Sequence, residues 1–292
     1  MDVKSWYPFL TPQIIFKDRQ KENNAYLETN PAIYVKDDIF IILVRLVNYR
    51  KFRDRSFKMG GSLSESCYHK FTARHSDTKG FEILTSTPVV FKNRLPQYYS
   101  CWTGYEDIRF IDDKNILCTS PTSSQFGNPV IVTGILEDNT ITITQLCMPH
   151  KIEKNWMPFR VGTTDFVLYS VYPLAIKNLS NPIPRSLHTA EELKGYHGST
   201  NGINHDKGYL FIIHIYTDRT YHRWLYFDPI NNKYGFSKPF TFHDYSYIEF
   251  TCSLVIYKER LFVGLGVNDD KAYICEVSHP ILTSFTYYEF VT

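Results

Sequence analysis

Apolar and polar residues alternate in short bursts along this chain, and the bursts come in pairs. An apolar run, a tight polar turn and a second apolar run recur as AIYV-KDD-IFIILVRLV (32–47), IRFI-DDKN-ILCTS (108–120), INH-DKG-YLFIIHIY (203–216) and SLVIY-KER-LFVGLG (253–266). Runs this short, rich in Ile, Val, Phe and Tyr and hinged on Asp, Asn, Lys and Gly, predict β-hairpins. Further pairs fit at VIVTGILEDNTITITQL, DFVLYSVYPLAI and RWLYFDPINNKYGFSKPF, where Asp-Pro and Asn-Asn mark turns. Helical periodicity is nearly absent; HTAEELKGY (188–196) is the best short helix candidate. The prediction is an all-β chain.

Length turns that into an architecture. Hairpins spaced by roughly 50 to 75 residues suggest four-stranded blades, and five blades in a 292-residue chain leave about 58 residues each. A single five-bladed β-propeller over 1–292, with blades from about 25 to 290, is the reading; a β-sandwich pair or a six-bladed form is the alternative. No linker rich in Gly, Ser or Pro divides the chain.

Composition narrows the function class. Hydrophobic residues make up 43% and aromatics 16%, with 22 Tyr and 21 Phe, as a folded, strand-rich chain requires. The 32 Lys and Arg nearly balance 30 Asp and Glu, so no charge excess points to nucleic acid. Arg50, Lys51, Arg53, Arg55 and Lys58 form a short, interrupted basic cluster that reads as a solvated loop. The N-terminus lacks a signal-peptide pattern and no apolar run approaches a membrane span, so a cytoplasmic protein with no membrane span is expected. Six cysteines without a CxxC pair read as buried free thiols, with neither metal nor cofactor implied.

In a propeller the innermost strands line a central channel, so polar residues that break strand patterns are the candidates for chemistry. Arg45 interrupts IFIILVRLV, where a charge is costly unless paired or facing a ligand. Glu106, Asp107 and Arg109 in YEDIRF put adjacent acids immediately before a hairpin, a pairing able to tune an acid or equally to make a solvated turn. EKNWMPF sets Lys154 and Asn155 beside Trp156 and Phe159; aromatic faces with amide and ammonium groups suit sugars, and a core tryptophan suits the pattern as well. GYHGSTNGI surrounds Tyr196 and His197 with small polar residues, and GLGVNDDKAYI places Asp269 in what reads first as a turn.

Taken in order and spacing over residues 30 to about 277, these segments resemble the five-bladed propellers of the β-mannoside phosphorylases, glycoside hydrolase family 130, and related mannosyltransferases. The resemblance implies Asp107 as the proton donor to the glycosidic or leaving-group oxygen, with inversion at the anomeric carbon. It implies Asn30, Arg45, Lys154, Tyr196, His197 and Asp269 as substrate-binding, with Glu106, Arg109 and Asn155 in the same segments; Asn128 joins by its spacing after Asp107. One departure stands out: between Asn115 and Pro149 there is no Arg or Lys, where phosphorolytic members hold phosphate. The first reading is therefore a glycosyltransferase moving a mannose-like unit, with an oligosaccharide, sugar-phosphate or nucleotide-sugar substrate. A β-glycoside hydrolase or phosphorylase is the alternative, for which Asp269, Asp270 or Glu249 would serve as base, and a non-catalytic glycan-binding propeller is the third.

Overall fold

The computed structural model describes residues 3–8, 26–52, 56–59, 64–95, 102–121, 128–147, 152–181, 183–187 and 189–290. Every hairpin expected from the sequence is present. Blade 1 is built outward from Leu27–Lys36 through Ile39–Val47 and Ser64–Ser76 to Gly80–Pro88; blade 2 runs Glu106–Phe110, Asn115–Ser120, Val130–Glu137, Thr140–Cys147. Blade 3 runs Met157–Val161, Thr164–Val171, Leu174–Asn178, Arg185–Ser186, and blade 5 runs Glu249–Tyr257, Arg260–Val267, Lys271–Val277. In blade 4 the innermost position is split: His197–Gly198 and Ile203–His205 both pair with Gly208–Tyr216, followed by Thr220–Asp228 and Lys233–Phe236. The predicted helix at 188–196 is a single 3-10 turn, Glu191–Leu193, because Gly195 at φ +81 and the return of the chain into blade 4 leave no room to extend it.

Sheet edges are shared between blades. Val3–Pro8 pairs antiparallel with Lys271–Val277 and completes blade 5, Thr286–Glu289 caps blade 4, and Val90–Lys92 joins the outer edge of blade 2 in parallel. Such cross-coverage satisfies backbone groups that an open edge leaves unpaired. Tight turns follow the expected chemistry: Asp37 and Asp38 sit at φ 50° and 62°, the paired left-handed geometry of a two-residue hairpin, and Lys258 and Glu259 adopt it too.

The core lies between blades rather than at the axis. Ile33, Phe40, Phe71, Phe262 and Ile274 fill the layer between blades 1 and 5, and Met157, Phe159, Phe211, Phe227 and Tyr234 fill that between blades 3 and 4. Among the described residues the layer between blades 2 and 3 is the smallest, with Leu117, Ile131, Cys147, Trp156 and Val167 fully or nearly fully buried. Cys118, Cys147, Cys252 and Cys275 are buried free thiols and Cys67 is half-buried, while Cys101 lies outside the described residues. Burial raises the Cys252 thiol to about 12, which keeps it protonated and inert.

Polar cross-links knit the inner strands where their pairing is interrupted. The register slips in blade 1 between Thr29 and Ala32, in blade 2 between Glu106 and Arg109, and in blade 5 between Thr251 and Ser253. Groups released by these bulges bond across blades. Ser253 Oγ donates to Pro31 O at 2.9 Å and accepts from Ile33 N at 3.0 Å, and Cys252 Sγ donates to Ile108 O at 3.1 Å. Asn201 makes a two-way bond with the Leu254 backbone at 2.9 and 3.0 Å, and Gly202 N donates to Pro158 O at 2.7 Å. Bulged strands leave side chains aimed along the channel while their backbone remains satisfied.

Among the described residues no helix is long and apolar enough to cross a membrane.

Candidate active site

Up-and-down connectivity decides which residues meet. The start of each innermost strand, the end of the second and the start of the third lie on one face of the propeller, as the pairs Thr29↔Arg45, Arg45↔Tyr68 and Glu106↔Thr119 record. Asn30, Glu106, Asp107, Asn155 and His197 stand at or before the start of an innermost strand, Arg45 near the end of a second strand, and Asn128 and Asp269 in connections from a second to a third strand. All belong to that face.

At its centre is Asp107. The blade 2 bulge puts Asp107 at φ 51°, a left-handed conformation that a short polar side chain tolerates and that turns its carboxylate out of the ladder. Asn30 Nδ2 donates to Asp107 Oδ1 at 2.8 Å, and Arg45 NH1 to the same oxygen at 3.3 Å. Among the described residues no side chain bonds to Oδ2. Asn30 is itself left-handed, at φ 43°, and the Thr29 hydroxyl donates to its Oδ1 at 2.8 Å, which fixes the amide so that Nδ2 faces Asp107. Close packing behind it requires glycine: a Cβ on Gly266 would fall 2.0 Å from Asn30 Oδ1, and one on Gly264 would fall 2.1 Å from Pro31 O.

Arg45 is 4% exposed and spends its fork on four partners. Nε donates to Ser66 Oγ at 2.8 Å, NH2 to Glu106 Oε1 at 2.7 Å and to Tyr49 OH at 3.3 Å, and NH1 to Asp107. Burial works against its charge, but Glu106, Tyr49 and Asp107 outweigh it and hold the guanidinium firmly protonated. Ser66 Oγ passes the order on to Tyr105 O at 2.6 Å, the residue before the acidic pair. Tyr49 adjoins this group: burial raises its phenol, opposed by Arg45 and reinforced by Asp269, Glu106 and Asp107.

Asp269, at φ 53° and 8% exposed, meets Lys51 Nζ at 3.4 Å, and Tyr247 OH donates to Lys51 O at 2.6 Å. Lys51 lies in a hairpin of Tyr49–Lys51 with Phe57–Met59, so part of the basic cluster expected in a solvated loop is an ordered lip at this face. Tyr49, Lys51, Ser66 and Tyr247 are site residues that sequence reasoning missed; the spacing of Tyr49 and Lys51 on one strand face, following Arg45, is the signal that would have found the first two.

The other predicted residues lie outside the clamp on Asp107. Lys154 is exposed and Asn155, at φ 60°, is half-buried beside blade 4, its carbonyl so close that a Cβ on Gly198 would fall 2.2 Å from it. Asn128 is half-buried at the entry to Val130–Glu137. The Tyr196 ring is 7% exposed within the core between blades 3 and 4, and its hydroxyl accepts from Arg223 Nε at 2.9 Å, so it faces the outer strands of its blade. His197 is exposed, its ring 5.9 Å from that of His214. Arg109 is wholly buried. Among the three acids weighed as a hydrolytic base, Glu249 is committed to holding a loop: its carboxylate accepts from Phe242 N and His243 N, both at 2.8 Å, and from Ser246 Oγ, with His222 Nε2 at 3.3 Å. Burial raises the Asp270 carboxyl, and its Oδ1 is a buried acceptor with no bond among the described residues. No group of His, Cys, Asp and Glu among the described residues is arranged to hold a metal ion.

No protein-family model matches the sequence, and no curated protein matches it. Solved structures do. The β-1,2-mannobiose phosphorylase of Listeria innocua, complexed with β-1,2-mannobiose, superposes with a TM-score of 0.64 at 14% identity over 88% of this chain and 91% of its own. A putative glycosidase of Bacteroides thetaiotaomicron gives 0.63 at 12% over 94% and 92%, and the GH43_1 enzyme of Xanthomonas citri complexed with xylose gives 0.60 at 10% over 96% and 92%. At these identities the likeness is one of fold: the chain is a five-bladed β-propeller of the architecture that mannoside phosphorylases and propeller glycosidases share.

Proposed function

We propose that this propeller is a carbohydrate-active enzyme that cleaves a β-linked, mannose-like glycoside with inversion, Asp107 delivering the proton to the glycosidic oxygen directly or through a sugar hydroxyl. The observation that carries the reading is the one-sided clamp on Asp107. Asn30 and Arg45 both take Oδ1, which leaves Oδ2 as the oxygen to face a substrate. The side chain keeps 16% of its exposure on the face where the polar ends of the inner strands gather.

Residues around the clamp supply what a sugar needs: Glu106 braced on Arg45, the Asp269–Lys51 pair as adjacent acceptor and donor for hydroxyls, and the half-buried amides of Asn128 and Asn155 on the neighbouring rim. Cleavage stands ahead of transfer to an acceptor glycan because the like-folded structures are named as phosphorylases and glycosidases. Within cleavage, hydrolysis is favoured over phosphorolysis by the empty stretch from Asn115 to Pro149, which brings no Arg or Lys to the blade 2 rim. Asp269 is the better base for water, since Glu249 is consumed by its loop.

The test is a screen of short β-mannosides with water or phosphate, and of nucleotide sugars and sugar 1-phosphates with mannosides, products read by mass spectrometry. Free mannose of inverted configuration is expected. Mannose 1-phosphate would transfer the reading to phosphorolysis, a lengthened glycan would restore transfer, and neither turnover nor a shift in melting temperature with any sugar would overturn it.

A further inference from the structure

Arg109 is 0% exposed and among the largest fully buried side chains of the molecule. A guanidinium in such a place normally carries a carboxylate with it. Here no carboxylate is hydrogen-bonded to it among the described residues. Nε donates to the carbonyl of Ser199 in blade 4, NH1 donates to the carbonyl of Asp107 at 3.1 Å, and the guanidinium lies over the Phe250 ring of blade 5, 5.6 Å from its centroid. NH2 is buried without a bond among the described residues. Full burial removes Arg109 from direct contact with a sugar, so its presence next to the acid needs another reason.

The backbone of the bulge provides it. Between the pairs Glu106↔Thr119 and Arg109↔Leu117, residues 107 and 108 drop out of register, and three of their four backbone groups are met by a side chain. Ile108 O accepts from Cys252 and Ile108 N donates to Tyr68 OH at 3.4 Å; Asp107 O is met by Arg109. Asp107 at φ 51° is in a conformation that costs an L-residue roughly 1–2 kcal/mol, and it persists only if neighbours fix it. Arg109 fixes it from two residues away while anchored to two further blades.

We propose that Arg109 is the positioning residue of this site: it locks the Asp107 backbone in the left-handed bulge that aims the carboxylate at Asn30 and Arg45, and it acts as a planar fork that lysine cannot replace. The inference rests on Asp107 being the reacting acid, and it adds how that acid is held. Ser199 Oγ, 2.7 Å from His214 Nδ1, secures the blade 4 end of the anchor, because the Ser199 carbonyl that Arg109 grips belongs to a residue fixed by its own side chain.

The experiment compares Arg109→Lys, Asp107→Asn and the double variant. In a crystal structure of Arg109→Lys, Asp107 is expected to leave the left-handed region and to lose its bond to Asn30. With the β-mannoside that the wild type turns over, kcat is expected to fall about 100-fold and KM to change less than about threefold, as for an interaction felt only through the transition state. The double variant is expected to be no slower than Asp107→Asn alone, whereas a merely structural role makes the two losses multiply. Should Arg109→Lys fail to fold, Phe250→Leu keeps the guanidinium and removes its platform; a fall in kcat of roughly 3- to 10-fold at constant KM is expected. Overturning results are an Asp107 that stays clamped to Asn30 in Arg109→Lys, multiplicative losses in the double variant, or an unchanged kcat in Phe250→Leu. If the wild type processes no sugar, the cleavage reading fails, and the position of Asp107 in the crystal structure still decides the positioning role.

Discussion

Two sides of the same channel mouth are built from like parts and do different things. On the side of blades 1, 2 and 5, left-handed Asn30, Asp107 and Asp269 are joined by Arg45, Tyr49 and Lys51. On the side of blades 3 and 4, left-handed Asn155 stands between Glu153 and Trp156, and the polar groups close on one another. Glu153, 2% exposed, accepts from Trp156 Nε1 at 2.9 Å and Tyr169 OH at 2.7 Å, and Lys177 Nζ lies 4.3 Å over the Trp156 ring. Tyr196 is likewise tied to Arg223. A left-handed Asx at the start of an inner strand is therefore a feature of the propeller frame. It becomes a candidate for chemistry only where its acceptor is left half-paired at the channel.

The sharpest way to break that comparison is to remove the acid on the reactive side. Asp107→Asn keeps the shape and the left-handed tolerance but removes the proton donor. Turnover of a β-mannoside is expected to fall about 10³-fold, within the range general acid catalysis supplies, with the melting temperature nearly unchanged. A variant retaining more than a tenth of wild-type turnover would place Asp107 with Asn155 as a frame residue.

Next in size is a backbone test of the clamp. Gly266→Ala sends a Cβ to 2.0 Å from Asn30 Oδ1 and 2.7 Å from Thr29 Oγ1, so Asn30 must move and its bond to Asp107 must break. Overpacking of this kind costs about 1–3 kcal/mol, and the loss is expected in both melting temperature and kcat. Gly162→Ala is the control: no atom lies within 4 Å of its would-be Cβ, so only the strain of φ +60 acts, and kcat is expected to hold.

How much of this was legible beforehand follows from what a sequence encodes locally. Hairpins such as 108–120 and 253–266 were readable because a two-residue period and Asp or Lys-Glu turns are short-range signals. Arg45 and Glu106–Asp107 were readable as breaks in those patterns, and the structure joins them. Tyr196 was misplaced because a Tyr-His-Gly segment says nothing about which way a ring turns; the packing of Phe211, Leu225 and Tyr234 around it decided that, with Arg223, 27 positions away. Lys51 was hidden in a basic run whose neighbours are exposed, and only its contact with Asp269, 218 residues on, sets it apart (269 minus 51).

The comparison also has a pH dimension on the blade 4 and 5 wall. His214 is held well below its ordinary 6.5 by burial, with His222, His197 and Arg109 adding positive charge; Gly198 opposes weakly. A depressed base is neutral in the fold and takes up a proton on unfolding, so its contribution is complete above 6.5 and is lost as pH falls from there toward the folded value. Burial raises Glu249, but His222, Ser246 and Phe242 outweigh it and leave it below its ordinary 4.5, so its contribution is lost only as pH falls below 4.5 toward the lower folded value. Stability against urea is expected to decline in two stages on acidification, each group giving a slope of up to about 1.4 kcal/mol per pH unit. Burial depresses His69, His75, His197 and His205 as well, so His214→Asn is expected to reduce the slope below 6.5 without abolishing it, and Glu249→Gln the slope below 4.5. An unaltered curve in either variant would mean that the group does not contribute.

The smallest effect belongs to the quiet side, and it is the one that tests whether that side is quiet. Tyr169→Phe deletes one hydroxyl from the Glu153 cluster and leaves the carboxylate with Trp156 Nε1 as its remaining side-chain donor among the described residues. Glu153 loses a part-buried bond, at a cost of about 1 kcal/mol. Among the described residues the layer between blades 2 and 3 has the fewest buried apolar side chains, so little packing is available there to absorb the change, and the loss is expected in the unfolding free energy. Nothing in this cluster bonds to Asn30, Arg45 or Asp107, so kcat and KM are expected to stay within twofold of wild type. Loss of turnover without loss of stability in Tyr169→Phe would mean that Glu153 works on the substrate side after all, and that the channel mouth has two reactive walls rather than one.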